Sequence, residues 1–164
     1  MAHMKYGCLH PNPKTTEYPV AAGVYFRHDQ PNMVYVDASG NLALVVTATT
    51  TVKGVAIVPK GRGAGTSDDY YLSNATAAVD RFPVIDVDEG YNFIWLADDT
   101  PTASQAGDAC DLLGDDDGTA FYVDIGTSST DVCIIQGRGV DYKADAAAND
   151  VVVKMNPAKR QTDT

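Results

Sequence analysis

The sequence holds very little glutamate, histidine or tryptophan: two Glu, three His and one Trp in 164 residues. Its negative charge comes instead from twenty Asp. Glutamate suits helix interiors, whereas aspartate suits turns and caps, so the chain is expected to be rich in turns and poor in helix. No apolar run approaches the ~18–20 residues of a membrane span, and a membrane is not an expected partner. The first residues carry no apolar segment of the secretory-signal kind. Positive charge is also scarce. Twelve Lys and Arg against 22 acids leave a formal charge of −10. Phosphate contacts need cations, and the one basic cluster lies at 154–160, so nucleic acid is not an expected partner either. Three cysteines (Cys8, Cys110 and Cys133) leave at least one unpaired, which suits synthesis in a reducing cytoplasm. Cys133 sits in the apolar run 132–135, where it reads as a small buried hydrophobe.

What is present is an ordinary globular balance, 45% hydrophobic and 21% charged, enough for one domain or two small units. Short apolar stretches recur every eight to twelve residues, separated by turn chemistry, as in a sandwich or barrel. They lie at 23–27, 33–36, 42–47, 54–58, 70–72, 82–87, 92–97, 110–113, 121–125, 132–136 and 151–154. The run 47–51 is nearly all Thr and reads as extended. In 121–125, Phe121, Val123 and Ile125 share the expected core face, with Asp124 opposite. The cluster Asp88-Glu89-Gly90 predicts a hairpin turn, and so does Asp117-Gly118. One helical turn is expected in 73–81, capped by Ser73 or Asn74. The polar segment 141–149 has a helix as its alternative reading. The resulting expectation is all-β: short antiparallel strands in one or two small β-sandwich or barrel units, with little helix. Its organisation is an extended arm over 1–19, marked by Pro11, Pro13 and Pro19, a β-unit over 20–80 with a glycine-rich loop at 60–69, and a second β-unit over 81–164.

No stretch carries a reaction centre. Residues 61–65 (Gly61-Arg62-Gly63-Ala64-Gly65) lack the Lys-Ser/Thr of a phosphate loop, the third glycine of a dinucleotide fingerprint and a following helix. They read as a solvated loop that orders on binding. Asp108, Asp111, Asp115, Asp116 and Asp117 offer oxygen ligands, but consecutive acids on extended backbone point to opposite faces and no glutamate closes the set. Cys8 and His10 have no second ligand pair at zinc-like spacing. No serine has a nucleophile-elbow context, so no catalytic residue, metal or cofactor is expected. Tyrosine is abundant. Tyr6, Tyr18, Tyr70, Tyr71 and Tyr142 lie near segment ends, where a large side chain with a polar tip suits an interface. Tyr25, Tyr35 and Tyr91 fall within strand patterns and read as core. Trp95 with the tyrosines is the platform that a glycan-binding module would use.

Two stretches resemble a known family. The first runs from Ala21-Ala22-Gly23-Val24-Tyr25 through Val36-Asp37-Ala38-Ser39-Gly40-Asn41-Leu42 to Val52-Lys53-Gly54-Val55-Ala56. The second joins Ala106-Gly107-Asp108-Ala109-Cys110-Asp111-Leu112, Val123-Asp124-Ile125-Gly126 with residues 127–132, and 151–161. Together they look like the capsid decoration or cement proteins of tailed bacteriophages. The resemblance implies a non-enzymatic virion protein on the outer capsid surface, made in the host cytoplasm. Its partners would be the major capsid protein and further copies of itself, as a dimer or trimer. Residues expected at the contact, on their exposure-prone composition, are Tyr6, Leu9, Pro11 and Tyr18 of the arm, Gly61, Arg62, Gly63 and Gly65 of the loop, and Lys159 and Arg160 of the tail. A tail- or fibre-associated protein is the alternative within the virion, and the glycan-binding module the alternative outside it.

Overall fold

A computed structural model describes residues 7–47, 49–114, 121–126 and 128–161. The chain is all-β, and every strand ladder is antiparallel. The strands are β1 (Gly7–Cys8), β2 (Thr16–Pro19), β3 (Tyr25–Arg27), β4 (Asn32–Val36), β5 (Leu42–Leu44), β6 (Gly54–Ala56) and β7 (Tyr70–Leu72). They continue as β8 (Arg81–Asp86), β9 (Asn92–Leu96), β10 (Ala109–Gly114), β11 (Phe121–Asp124), β12 (Cys133–Arg138) and β13 (Asp150–Met155). One sheet runs β1-β9-β13-β12-β10-β11, a second runs β2-β8-β6-β4-β5, and β3 pairs with β7 in a ribbon. A bridge between Ala97 and Val123 connects the end of β9 to β11 and curls the six-stranded sheet toward closure.

Side-chain alternation places both sheets over one core. In β12, Cys133, Ile135 and Gly137 are buried while Ile134, Gln136 and Arg138 are half-exposed, the period of two expected of a strand covered on one face. Phe82 and Val84 of β8 and Phe93 and Trp95 of β9 meet in a single apolar cluster with Val34, Val55, Leu112 and Val153. On the opposite face of the larger sheet, the cross-strand partners Ile94 and Val152 are buried as well. β13 is therefore covered on both faces, which is why it reads as a continuous valine run. Val123 of β11 and Ile125 just beyond it lie inward and Asp124 is half-exposed, as the pattern predicts, while the Phe121 side chain lies outside what the structure describes.

Three local expectations differ from the structure. Residues 88–90 do not close a hairpin, because β8 and β9 lie in different sheets. The Asp86 carboxylate accepts from the Asp88 N–H (3.0 Å), caps a 3-10 turn at Val87–Glu89, and the turn ends at Gly90 in the left-handed region. An acid-rich turn ending in glycine serves a hairpin or a corner equally well. Here β8 and β9 face the core from two sheets, which hairpin neighbours cannot do. The threonine run at 47–51 contains no strand among its described residues. The Thr49 hydroxyl accepts from the Val46 N–H (3.0 Å) while the Thr49 N–H donates to the Val46 carbonyl (2.8 Å). A hydroxyl that reaches nearby backbone competes with sheet pairing. Residues 73–80 form turns instead of a helical turn, because Asp80 and Asn74 accept from the N–H groups of Asn74 and Thr76 (2.8 and 2.9 Å). Residues 141–149 are the polar segment expected, without the helix of the alternative reading: they hold the end of a 3-10 turn at Gly139–Asp141 and further turns. The Asp117-Gly118 turn lies outside the described residues.

The proline-bearing start does not project from the body over its described part. β1 adds to the edge of the six-stranded sheet through β9, and β2 adds to the edge of the five-stranded sheet through β8. Residues 7–19 thus follow the β8–β9 corner in reverse and strap the two sheets together. The expected division at 80/81 does not coincide with a gap in the sheets, since β8 lies between β2 and β6.

Candidate functional site

Most expected contact residues lie in two places. The first is the corner at 86–91. Lys14 of the strap reaches Glu89 (3.8 Å), and Arg160 of the tail reaches Asp88 (3.0 Å). Lys53, with a side chain only 3% exposed, lies 3.7 Å from Asp86 and 5.4 Å from the centre of the Tyr18 ring. His10 stacks on Tyr91 with ring centres 4.5 Å apart. Three acids of one turn are therefore matched by cations from three separate segments. The tail is also held by backbone. The Val52 N–H donates to the Lys159 carbonyl (2.9 Å) and the Gln161 N–H donates to Val52 (2.8 Å). The Gln161 amide brackets Val36, accepting from its N–H (2.6 Å) and donating to its carbonyl (2.5 Å). Of the strap residues, Pro11 is exposed, Leu9 and Tyr18 are half-buried, and Tyr18 packs against the core. Tyr6 lies outside the described residues.

The second place is the glycine loop, which sits on the β3-β7 ribbon. It is not a free loop. The Ala64 N–H donates to the Leu72 carbonyl (2.8 Å), the Leu72 N–H to Arg62 (3.1 Å) and the Gly65 N–H to Arg62 (2.8 Å). A β-carbon on Gly63 would stand 2.2 Å from the Leu72 carbonyl oxygen, so the glycine there allows the close approach to β7. Arg62 is exposed and pairs with Asp68 (2.6 Å). His28 Nε2 meets the Gly61 carbonyl at 2.6 Å.

Between the strap and the β3–β4 turn lies a cavity of about 270 Å³. Its floor is apolar, with Val55, Ile85 and Phe93, and Cys8, His28 and Gln30 line it as well. Burial pushes the Cys8 thiol above its ordinary value. The Gln30 Oε1 accepts no hydrogen bond among the described residues, yet it is itself shielded from a water-sized probe.

Comparison of the chain with protein-family models, with curated proteins and with solved structures returns no match.

Several residues act differently from what their chemistry suggests in isolation. Asp111, expected among the candidate cation ligands, is 3% exposed and filled with donors. Its carboxylate accepts from the Ser129 hydroxyl (2.6 Å) and from the N–H groups of Ser129 (2.9 Å), Thr130 (2.9 Å) and Asp131 (2.8 Å). Burial pushes this carboxyl up, but those donors outweigh it and hold its pKa at about 2. Asp111 therefore organises the 129–131 turn, in which Asp131 takes a left-handed backbone with φ 57°. Among the described residues, no group of three or more His, Cys, Asp or Glu is placed to hold a metal ion; Asp115, Asp116 and Asp117 lie outside them. Trp95 is 0% exposed, so it packs the core and offers no platform to a sugar. Tyr142 is 47% exposed and available to a partner, whereas Tyr35 and Tyr91 pack against the core and Tyr25 is half-buried.

Proposed function

We propose that this chain is a structural virion protein that binds the outer surface of a tailed-phage head and clamps neighbouring major capsid subunits. The observation that carries the reading is the resemblance of residues 21–42, 52–56, 106–112, 123–132 and 151–161 to capsid decoration proteins. The architecture supports it. The first stretch supplies β6, β4 and β5, adjacent in one sheet, and the second supplies β10, β11 and β13 of the other. A sheet body with both end segments strapped onto it is a rigid block, suited to adhesion across a subunit boundary. Many copies that bind only the assembled shell stabilise it by mass action. An acidic body of charge −10 stays soluble before docking and has no general affinity for the packaged genome. The contact residues are Tyr6, Leu9, Pro11, Tyr18, Gly61, Arg62, Gly63, Gly65, Lys159 and Arg160, and the chain acts as a dimer or trimer.

Cosedimentation with undecorated heads, run beside isolated tails, tests the reading. Saturable uptake by heads alone is expected. Uptake by tails and none by heads would instead favour the tail or fibre role.

A further inference from the structure

Two of the three cysteines stand opposite each other in the sheet. Cys110 of β10 and Cys133 of β12 are direct cross-strand partners in an antiparallel ladder. Such partners have α-carbons about 4.5–5.5 Å apart and side chains on the same face. That separation falls inside the roughly 4.4–6.8 Å that a disulfide spans. Both residues are 0% exposed, and the Cys133 thiol is the largest influence on that of Cys110. Cys8 is excluded from this chemistry by topology. It lies on β1, three strands from β12 in the order β1-β9-β13-β12, which at about 4.8 Å per strand is roughly 14 Å.

We infer that Cys110 and Cys133 are an oxidative modification site, a latent cross-strand disulfide inside the six-stranded sheet. The position has mechanical sense. The β10–β12 ladder has two register pairs, whereas β12–β13 has five, so β10 meets β12 over the shortest interior ladder of that sheet among the described residues. A covalent bond there fixes the join and closes residues 110–133, a segment that contains Asp111 and the turn it organises. The oxidant is a low-molecular-weight disulfide. One thiolate attacks it, releases one small thiol and forms a mixed disulfide; the second thiolate then displaces the other small thiol and closes the Cys110–Cys133 bond. The two cysteine protons end on the two released thiols. The neighbouring Cys133 thiol and burial raise the pKa of the Cys110 thiol in the closed fold, which slows its attack there. The bond therefore forms while the chain folds, or when β10 parts from β12, and the finished fold then shields it from reductant.

The test is refolding of the full chain from its reduced, unfolded state in buffers poised with oxidised or reduced glutathione, followed by intact-mass and non-reducing peptide mapping. Oxidising refolding is expected to give a monomer lighter by two hydrogens across 110 and 133. Cys8 should be recovered as free thiol or glutathione adduct. The melting temperature should rise by about 5–10 °C over the reduced chain. Cys110→Ala and Cys133→Ala should each abolish both the cross-link and the rise. A bond to Cys8, glutathione adducts at 110 or 133 without closure, or a cross-link that lowers the melting temperature would each overturn the inference. The outcome is independent of binding to a phage head.

Discussion

Asp111 gives the account its sharpest energetic test. Replacing it with Asn keeps the shape but removes the charge, and turns one acceptor oxygen into an amide that faces the Ser129 N–H and hydroxyl. Hydrogen bonds to a buried charge contribute more than neutral ones, and a buried donor left without its acceptor costs about 1–3 kcal/mol. Asp111→Asn is therefore expected to destabilise the fold by about 3 kcal/mol at pH 7. The pH dependence separates this cause from general damage. The folded pKa, about 2, lies below the ordinary 3.8. A depressed carboxylate pKa adds stability that is fully present above the unfolded value and is lost as pH falls through the folded one. The contribution is on the order of 2 kcal/mol, and it fades between about pH 5 and pH 2. Urea unfolding of both proteins at a series of pH values measures it. The gap between wild type and variant should narrow by that amount across the window. A gap that stays constant with pH, or a variant within about 0.5 kcal/mol of wild type at neutral pH, would refute the donor-filled carboxylate as the cause.

Two further perturbations address the corner and the close approach of strands. Asp86→Asn keeps the acceptor that caps the 3-10 turn but removes the negative charge 3.7 Å from the buried Lys53 ammonium, and should cost about 2–3 kcal/mol; Lys53→Met, which removes the buried charge, should cost about 1 kcal/mol or less. Chemical denaturation decides, and the reverse order would show that the ion pair does not set the energetics there. Gly54→Ala would place a β-carbon 2.2 Å from the Ile85 carbonyl oxygen, so β6 must shift from β8 at a cost of about 2–3 kcal/mol, read as a lower unfolding midpoint with unchanged urea dependence.

Much of the strand inventory was legible in the sequence. The alternation of Cys133, Ile135 and Gly137 and the valine run in β13 both announce strands, and each follows from the faces it buries. The turn at 37–41 was equally plain, since Asp37 accepts from the N–H groups of Ser39 and Asn41, as its turn chemistry predicts. Strand partnership was not legible. Whether Asp88-Glu89-Gly90 folds β9 back on β8 or sends it to another sheet depends on which face each strand buries, and that is decided by residues far along the chain. Trp95 shows the same limit, because an isolated tryptophan reads alike as platform or core. The nest around Asp111 joins residues separated by 18 to 20 positions, and the Gln161–Val36 bracket spans 125. Neither leaves a local signature. The cysteine pair left a faint one: two thiols in strand patterns with one other between them, needing a sheet order and a register to bring them together.

Cryo-electron microscopy of heads saturated with the purified chain decides whether it clamps the shell. Density for this fold is expected on the outer surface, at symmetry-related positions, with each copy touching at least two major capsid subunits through the strap, the loop at 61–65 or the tail at 159–160. Bare heads at saturating protein, or density confined to the tail, would contradict it.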